Sequence, residues 1–252
     1  MTEIKQKTKG RNHKKGYEVA TVTAPAMAEG TATVAAEADA RYSFTVQFLC
    51  ASAIFARRCA EIERAHPDNP DEPTRTEHRG LVTAAIMQCA AAVEAESAEV
   101  TAHGPGHHLG SDRMDKKAHK FLAPLAEFID HQNVLTRYKI ILHILNKPPL
   151  AEDQQPWQNM AVLVKLRNEL IHYKSQWGKE MDSQKLFKTL NNLHLAKPPF
   201  VPSNANFFPH QFLGAACAAW AVRTAVDFLN GFYDRLGIES PLKAYMGQFA
   251  GL

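Results

Sequence analysis

One stretch of the chain, LVKLRNELIHYK (Leu163–Lys174), combines Arg167, Asn168 and His172 within an otherwise apolar pattern. An arginine can hold a phosphate group and stabilise developing negative charge, and an asparagine can orient its neighbours. A histidine titrates near neutral pH and can therefore take or give a proton. This set of side chains suits cleavage of RNA by its own 2′-hydroxyl group, a reaction for which we expect no metal ion and no cofactor.

The spacing of the stretch predicts an amphipathic helix. On an ideal helix its leucines mark a core face, and Arg167 falls inside that face, about 40° from Leu163. Asn168 and His172 fall together at the edge of the face as an i, i+4 pair. A guanidinium group on a core face has to be paired, because it stays charged and its desolvation is costly. We therefore expect a carboxylate from another helix beside Arg167.

Two glutamates of a preceding predicted helix are candidates for this ion pair. Glu96 falls within an apolar stripe of that helix, and Glu94 lies to one side of the stripe. The ion pair could fix the register of two helices and do nothing more, or it could support a site. Arg167 and His172 point about 140° apart on an ideal helix, so we expect a site completed by a second copy of the chain.

The elements that position these residues are predicted to be helices. Long runs without Gly or Pro alternate with Pro-rich turns, and no alternating strand pattern is present. The chain therefore predicts an all-α bundle of five to six helices in one domain, 37–252. We expect the helices at about 37–66, 76–101, 113–146 (with a bend near Pro124), 157–177, 183–194 and 210–236.

The N-terminal residues 1–36 predict a disordered arm. Six basic residues against one acidic residue give residues 1–16 a charge of +5, which leaves −2 for the rest of a chain of net charge +3. We find no predicted membrane span and no secretory signal. The cysteines lie in apolar segments without metal-ligand spacing, so we expect buried free thiols and a cytoplasmic location. They are Cys50, Cys59, Cys89 and Cys217.

The motif resembles the signature of the HEPN superfamily of all-α proteins, in which an Arg is followed after about four to six residues by a His, often with an Asn directly after the Arg. AAAVEAESAEV resembles the acidic early helix of that family and aligns Glu94 with its acidic position. LTRYKIILHIL resembles the segment that precedes the motif helix. The resemblance spans roughly residues 76–177.

Spacing alone is a weak signal, because Arg113–His119 and Arg137–His143 satisfy it as well. Neither pair has the adjacent Asn or the surrounding leucines, so we interpret both as accidental. The combination Leu-x-x-Leu-Arg-Asn-x-x-x-His-Tyr carries the resemblance.

The resemblance implies a metal-independent RNA endonuclease that acts as a homodimer, often as a toxin or an anti-phage effector with an antitoxin or defence-system partner. It implies catalytic roles for Arg167 and His172, with Asn168 in support, and Tyr173 and Lys174 extend the motif towards RNA. The family also contains non-catalytic members, which leaves a protein-interaction or nucleotide-binding module as the alternative.

A second group of polar residues lies in the Gly-rich segment HGPGHHLG. His103, His107 and His108 fall near Glu99 and Asp112, which makes a metal site conceivable. The segment has no cysteine and no rigid helical ligand spacing. We therefore interpret it as a flexible polar loop and predict no metal site.

Overall fold

The structure, a computed structural model, describes residues 43–109, 115–174, 185–202, 208 and 210–252. The described residues form helices and contain no strand, which confirms the predicted all-α bundle. The predicted arm at 1–36 and Asp112 lie outside the described residues.

The long helices lie at the centre of the bundle, and shorter ones surround them. The α-helices are α1 (Phe44–Ala65), α2 (Glu72–His103), α3 (Lys116–Leu122), α4 (Ala126–Asp130), α5 (Val134–Ile144), α6 (Trp157–Ile171), α7 (Lys185–Asn191), α8 (Ala215–Leu236) and α9 (Met246–Phe249). Short 3-10 turns occur at His107–Leu109, Ala123–Leu125 and Lys243–Tyr245.

Helix α2 is the central element and contacts α1, α8 and each of the helices α3 to α6. It begins at Glu72, four residues before the predicted start. The side chain of Asp71 accepts a hydrogen bond from the Thr74 backbone N–H at 3.0 Å and caps the helix. Pro73 is tolerated because the first helical turn needs no backbone donor at that position.

Helices α3, α4 and α5 replace the single long stretch predicted at 113–146. The predicted bend near Pro124 is present as the 3-10 turn between α3 and α4. A second break, before α5, was not predicted. It arises because the side chain of Asn133 accepts from the Thr136 N–H at 3.0 Å and starts a new helix.

Aromatic side chains fill the core between α5 and α8. The ring of Tyr138 meets Phe228 and Phe232 edge-on, at centroid distances of 4.8 and 4.7 Å. Its hydroxyl donates to the Val93 carbonyl of α2 at 2.7 Å, so this buried polar atom is satisfied. Through these contacts of Tyr138, α5 and α8 pack together against the middle of α2.

The segment HGPGHHLG, predicted to be a flexible polar loop, is packed against the bundle in its middle part. Residues Gly104 to His107 are buried against the bundle. Gly104 has a φ of 85°, and a Cβ atom there would lie 3.1 Å from the Cβ of His119. The positive φ favours glycine, because other residues rarely adopt this conformation, and a side chain would also be crowded by His119.

Helix α2 is long and apolar enough to cross a membrane by length and composition. The core helix of a soluble protein passes the same test, and half of the apolar window of α2 is buried within the bundle.

Candidate functional site

The motif helix α6 ends earlier than predicted. Met160, Leu163 and Leu166 are fully buried, but Ile171 in the last turn is 51% exposed. The backbone N–H of His172 donates to the Asn168 carbonyl at 2.9 Å, and His172 caps the helix C-terminus. The buried face of α6 therefore ends one turn before the C-terminus of the helix.

Arg167 lies where this core face ends, and it is paired as expected. Its Nη2 atom lies 2.5 Å from Oε1 of Glu94 on α2, and its Nη1 donates to Oδ1 of Asn168 at 2.9 Å. The side chains of Arg167 and Glu94 are 25% and 37% exposed. Two oxygens on different helices thus hold a guanidinium group that remains accessible to solvent.

Glu96, the other candidate partner, does not contact Arg167. Residues two apart on a helix point about 160° away from one another, so only one of the two glutamates can face α6. Oε1 of Glu96 instead accepts a hydrogen bond from the Tyr233 hydroxyl and lies 3.3 Å from Nε2 of His107. Glu96 is buried, as its position in the apolar stripe predicts, but its carboxylate contacts Tyr233 of α8 and not Arg167.

The exposure of the Arg167–Glu94 pair limits its contribution to stability. Ion pairs in contact with solvent contribute roughly 0.2–1 kcal/mol, far less than the cost of breaking a buried pair. Helix register is better fixed by the buried leucines of α6 than by this pair. The main physical effect of Glu94 is therefore to orient the guanidinium group.

Asn168 and His172 lie side by side on the exposed rim of α6, as the helical spacing predicts. Among the described residues, the imidazole of His172 makes no hydrogen bond and is not joined to Arg167. Tyr173 is 40% exposed, and its ring lies 5.7 Å from that of Phe208. Lys174 is exposed beyond the helix end.

Lys165 lies on the same helix but was not predicted as part of the site. It is exposed and precedes Asn168 and His172 by three and seven residues, which places all three on one side of α6. The i, i+3 and i, i+7 spacing of these residues would have been enough to predict that they share one side of the helix. The exposed rim of α6 therefore carries a cation, an amide and an imidazole in a row.

Comparison with protein-family models, with curated proteins and with solved structures finds no match to this chain. The resemblance to the HEPN superfamily therefore stays a prediction that depends on the motif and its geometry.

Proposed function

We propose that this protein is a metal-independent RNA endonuclease of the HEPN type, with Arg167 and His172 as catalytic residues and Asn168 in support. The observation that carries the proposal is the guanidinium group of Arg167, held by Glu94 and Asn168 at a solvent-accessible helix end. An oriented but accessible arginine is suited to bind a phosphate group bidentately.

The proposed reaction forms a bond from the 2′-oxygen of one nucleotide to the adjacent phosphorus and breaks the bond to the 5′-oxygen of the next. A base takes the proton of the 2′-hydroxyl, and the leaving 5′-oxygen receives a proton. His172 performs one of these two transfers, and Arg167 stabilises the charge on the phosphoryl oxygens. The products are a 2′,3′-cyclic phosphate and a 5′-hydroxyl end.

Tyr173, Lys174 and Lys165 extend the proposed RNA-binding surface along the same end of α6. The lysines would attract the phosphate backbone, and the half-exposed ring of Tyr173 offers a face for a base. We further propose that the enzyme is a cytoplasmic homodimer that acts as a toxin or an anti-phage effector, under the control of an antitoxin or a defence-system partner.

The test is cleavage of single-stranded RNA by the purified full-length chain in the presence of EDTA. We expect cyclic phosphate ends, no cleavage of RNA with 2′-O-methyl groups, and at least a hundredfold loss of rate for His172→Ala. His143→Ala is the matched control, since His143 is also exposed and belongs to an accidental Arg–His spacing. We expect this control to cleave RNA like the wild type.

Cleavage that depends on a divalent ion, or that His172→Ala retains, would contradict the proposal. It also fails if the wild type cleaves no RNA with or without a defence-system partner and His172→Ala leaves the effect of the protein in cells unchanged.

One observation favours the alternative, a non-catalytic protein-interaction or nucleotide-binding module. Ile171 is 51% exposed directly beside His172, and such an apolar side chain fits contact with another protein. Under this alternative, Ile171→Glu abolishes partner binding in a pull-down, whereas His172→Ala does not.

A further inference from the structure

A buried group of ionisable side chains lies on the side of α2 that faces away from α6. Glu96 and Glu99 come from successive turns of α2, and His107 comes from the 3-10 turn that follows it. Their side chains are 0%, 19% and 4% exposed. One nitrogen or oxygen atom from each residue lies within 4.8 Å of the others.

The hydrogen bonds within this cluster are incomplete. Oε1 of Glu96 receives the Tyr233 hydroxyl and lies 3.3 Å from Nε2 of His107, but Oε2 has no hydrogen-bond partner among the described residues. The hydroxyl of Thr45 interacts with the Glu96 carboxylate as well, but the hydrogen bond that its geometry defines is a long one, to the Ala92 carbonyl at 3.5 Å. A fully buried carboxylate oxygen without a donor is costly, and it points to a missing cation.

His107 lies close to both carboxylates of the cluster. Nδ1 of His107 lies 3.8 Å from Oε2 of Glu99, so one imidazole stands between two carboxylates. Oε1 of Glu99 accepts a hydrogen bond from the Phe44 backbone N–H at 3.2 Å, so the cluster also contacts the start of α1.

We propose that Glu96, Glu99 and His107 bind a divalent transition-metal ion, such as Zn²⁺ or Mn²⁺. Two carboxylates and a neutral imidazole balance its double positive charge. The nitrogen donor disfavours Ca²⁺ and Mg²⁺, which prefer oxygen ligands, whereas Zn²⁺ and Mn²⁺ accept both donor types.

Binding requires a small closure of the cluster. Metal–ligand distances of about 2.0–2.2 Å place tetrahedral donor atoms roughly 3.5 Å apart. The widest separation of the cluster, at most 4.8 Å, therefore has to shorten by about 1 Å. Glu99 is the most exposed of the three ligands, and its movement towards the ion would have to keep or replace the hydrogen bond that Oε1 accepts from the Phe44 backbone N–H. Tyr233 would hold the Glu96 carboxylate from behind.

Such a site would have a structural effect. It would join the turn at His107 to α2 and, through Tyr233, α2 to α8. Since Glu96 and His107 are buried, substrate would have poor access to the ion. The site is separate from the proposed RNA-cleaving site, and chelation should leave the activity of folded protein unchanged.

The experiment uses the full-length chain, stripped of metal with EDTA and dialysed against Zn²⁺ or Mn²⁺. We expect one ion per chain by elemental analysis and a higher thermal midpoint with metal. Glu99→Gln and His107→Asn should each weaken binding at least about tenfold. Co²⁺ should give visible absorption bands in the wild type that His107→Asn lacks. Glu77→Gln, at the other end of α2, is the matched control and should bind like the wild type.

The proposal is overturned if the wild type binds no ion, or if Glu99→Gln and His107→Asn bind as tightly as the wild type. Circular dichroism in EDTA checks that each variant folds. If His107→Asn does not fold, the comparison of Glu99→Gln with Glu77→Gln decides, because Glu99 is partly exposed and its replacement conserves shape.

Discussion

Two glutamates of α2, separated by one residue, have different surroundings. Glu94 is partly exposed and orients Arg167, whereas Glu96 is fully buried and interacts with Tyr233 and His107. The helical geometry alone explains this difference, because residues two positions apart on a helix face nearly opposite sides. The same turn of α2 therefore contributes Glu94 to the accessible site and Glu96 to the buried polar cluster.

This difference predicts a contrast in stability between two substitutions. Glu94→Ala should cost less than about 1 kcal/mol, since its ion pair is in contact with solvent. Glu96→Ala should cost about 2–4 kcal/mol, because it opens a cavity and leaves the Tyr233 hydroxyl unpaired. Urea unfolding followed by circular dichroism in EDTA measures both. Equal costs would show that the Arg167 pair is a structural element.

The cysteines give a second prediction at this scale. Burial raises the pKa of Cys59, Cys89 and Cys217 to about 12, and these thiols are fully shielded from solvent. Since the thiolate is the reactive form, they should not react with a thiol reagent such as DTNB in the folded protein. Half-buried Cys50 should react slowly. Four thiols should react in guanidinium chloride, and reaction of more than one thiol before unfolding would contradict this packing.

At the scale of the helices, Glu63 of α1 connects three elements. Its Oε1 atom lies 2.9 Å from Nε2 of buried His78 on α2 and accepts the Ala215 N–H at the start of α8 at 2.7 Å. A carboxylate at a helix N-terminus satisfies an otherwise unpaired donor and interacts favourably with the helix dipole.

Glu63→Ala should therefore destabilise the fold by about 2 kcal/mol, because it leaves His78 and the first turn of α8 without a partner. Glu61→Ala is the matched control. Glu61 lies two residues away on α1 and pairs with Arg58 in solvent, so its loss should change the free energy of unfolding little. Thermal unfolding of both variants measures the difference. A control that loses as much stability as Glu63→Ala would refute the connecting function.

Sequence patterns predicted the helices well where apolar periodicity is long. The core side of α6, the pairing of Arg167 and the exposed rim with Asn168 and His172 follow from helical spacing. The end of α6 did not follow, because the apolar pattern continues through Ile171 after the neighbouring helices no longer cover it. The spacing of apolar residues shows which side of a helix is apolar. Whether that side is buried depends on the elements that pack against it.

The cluster of Glu96, Glu99 and His107 was missed for a related reason. Along the sequence the histidines fall near Glu99, whereas Glu96 was predicted only as a candidate partner of Arg167. The turn at Gly104, which a positive φ makes possible, folds His107 back onto α2 beside Glu96. A contact created by a chain reversal is not contained in the periodicity of either segment.

At the scale of the whole molecule, α2 holds both polar groups in place. It contacts α6 on one side and α8 on another, so the Arg167–Glu94 pair and the buried cluster belong to one rigid central helix. The accessible end of α6 is left at the surface, where a second copy of the chain could meet it. On an ideal helix Arg167 and His172 point about 140° apart, which is the physical reason to expect a composite site.

Mixing two inactive variants tests this composite site, provided that the protein cleaves RNA as proposed. If Arg167 of one copy acts with His172 of the other, Arg167→Ala and His172→Ala should complement each other after subunit exchange. Half of the dimers would then be mixed, each with one complete site, so activity should return to about a quarter of the wild-type value. Either variant alone should remain inactive. A mixture that stays inactive, although mixed dimers are detected by native mass spectrometry, would show that each chain supplies both residues to its own site.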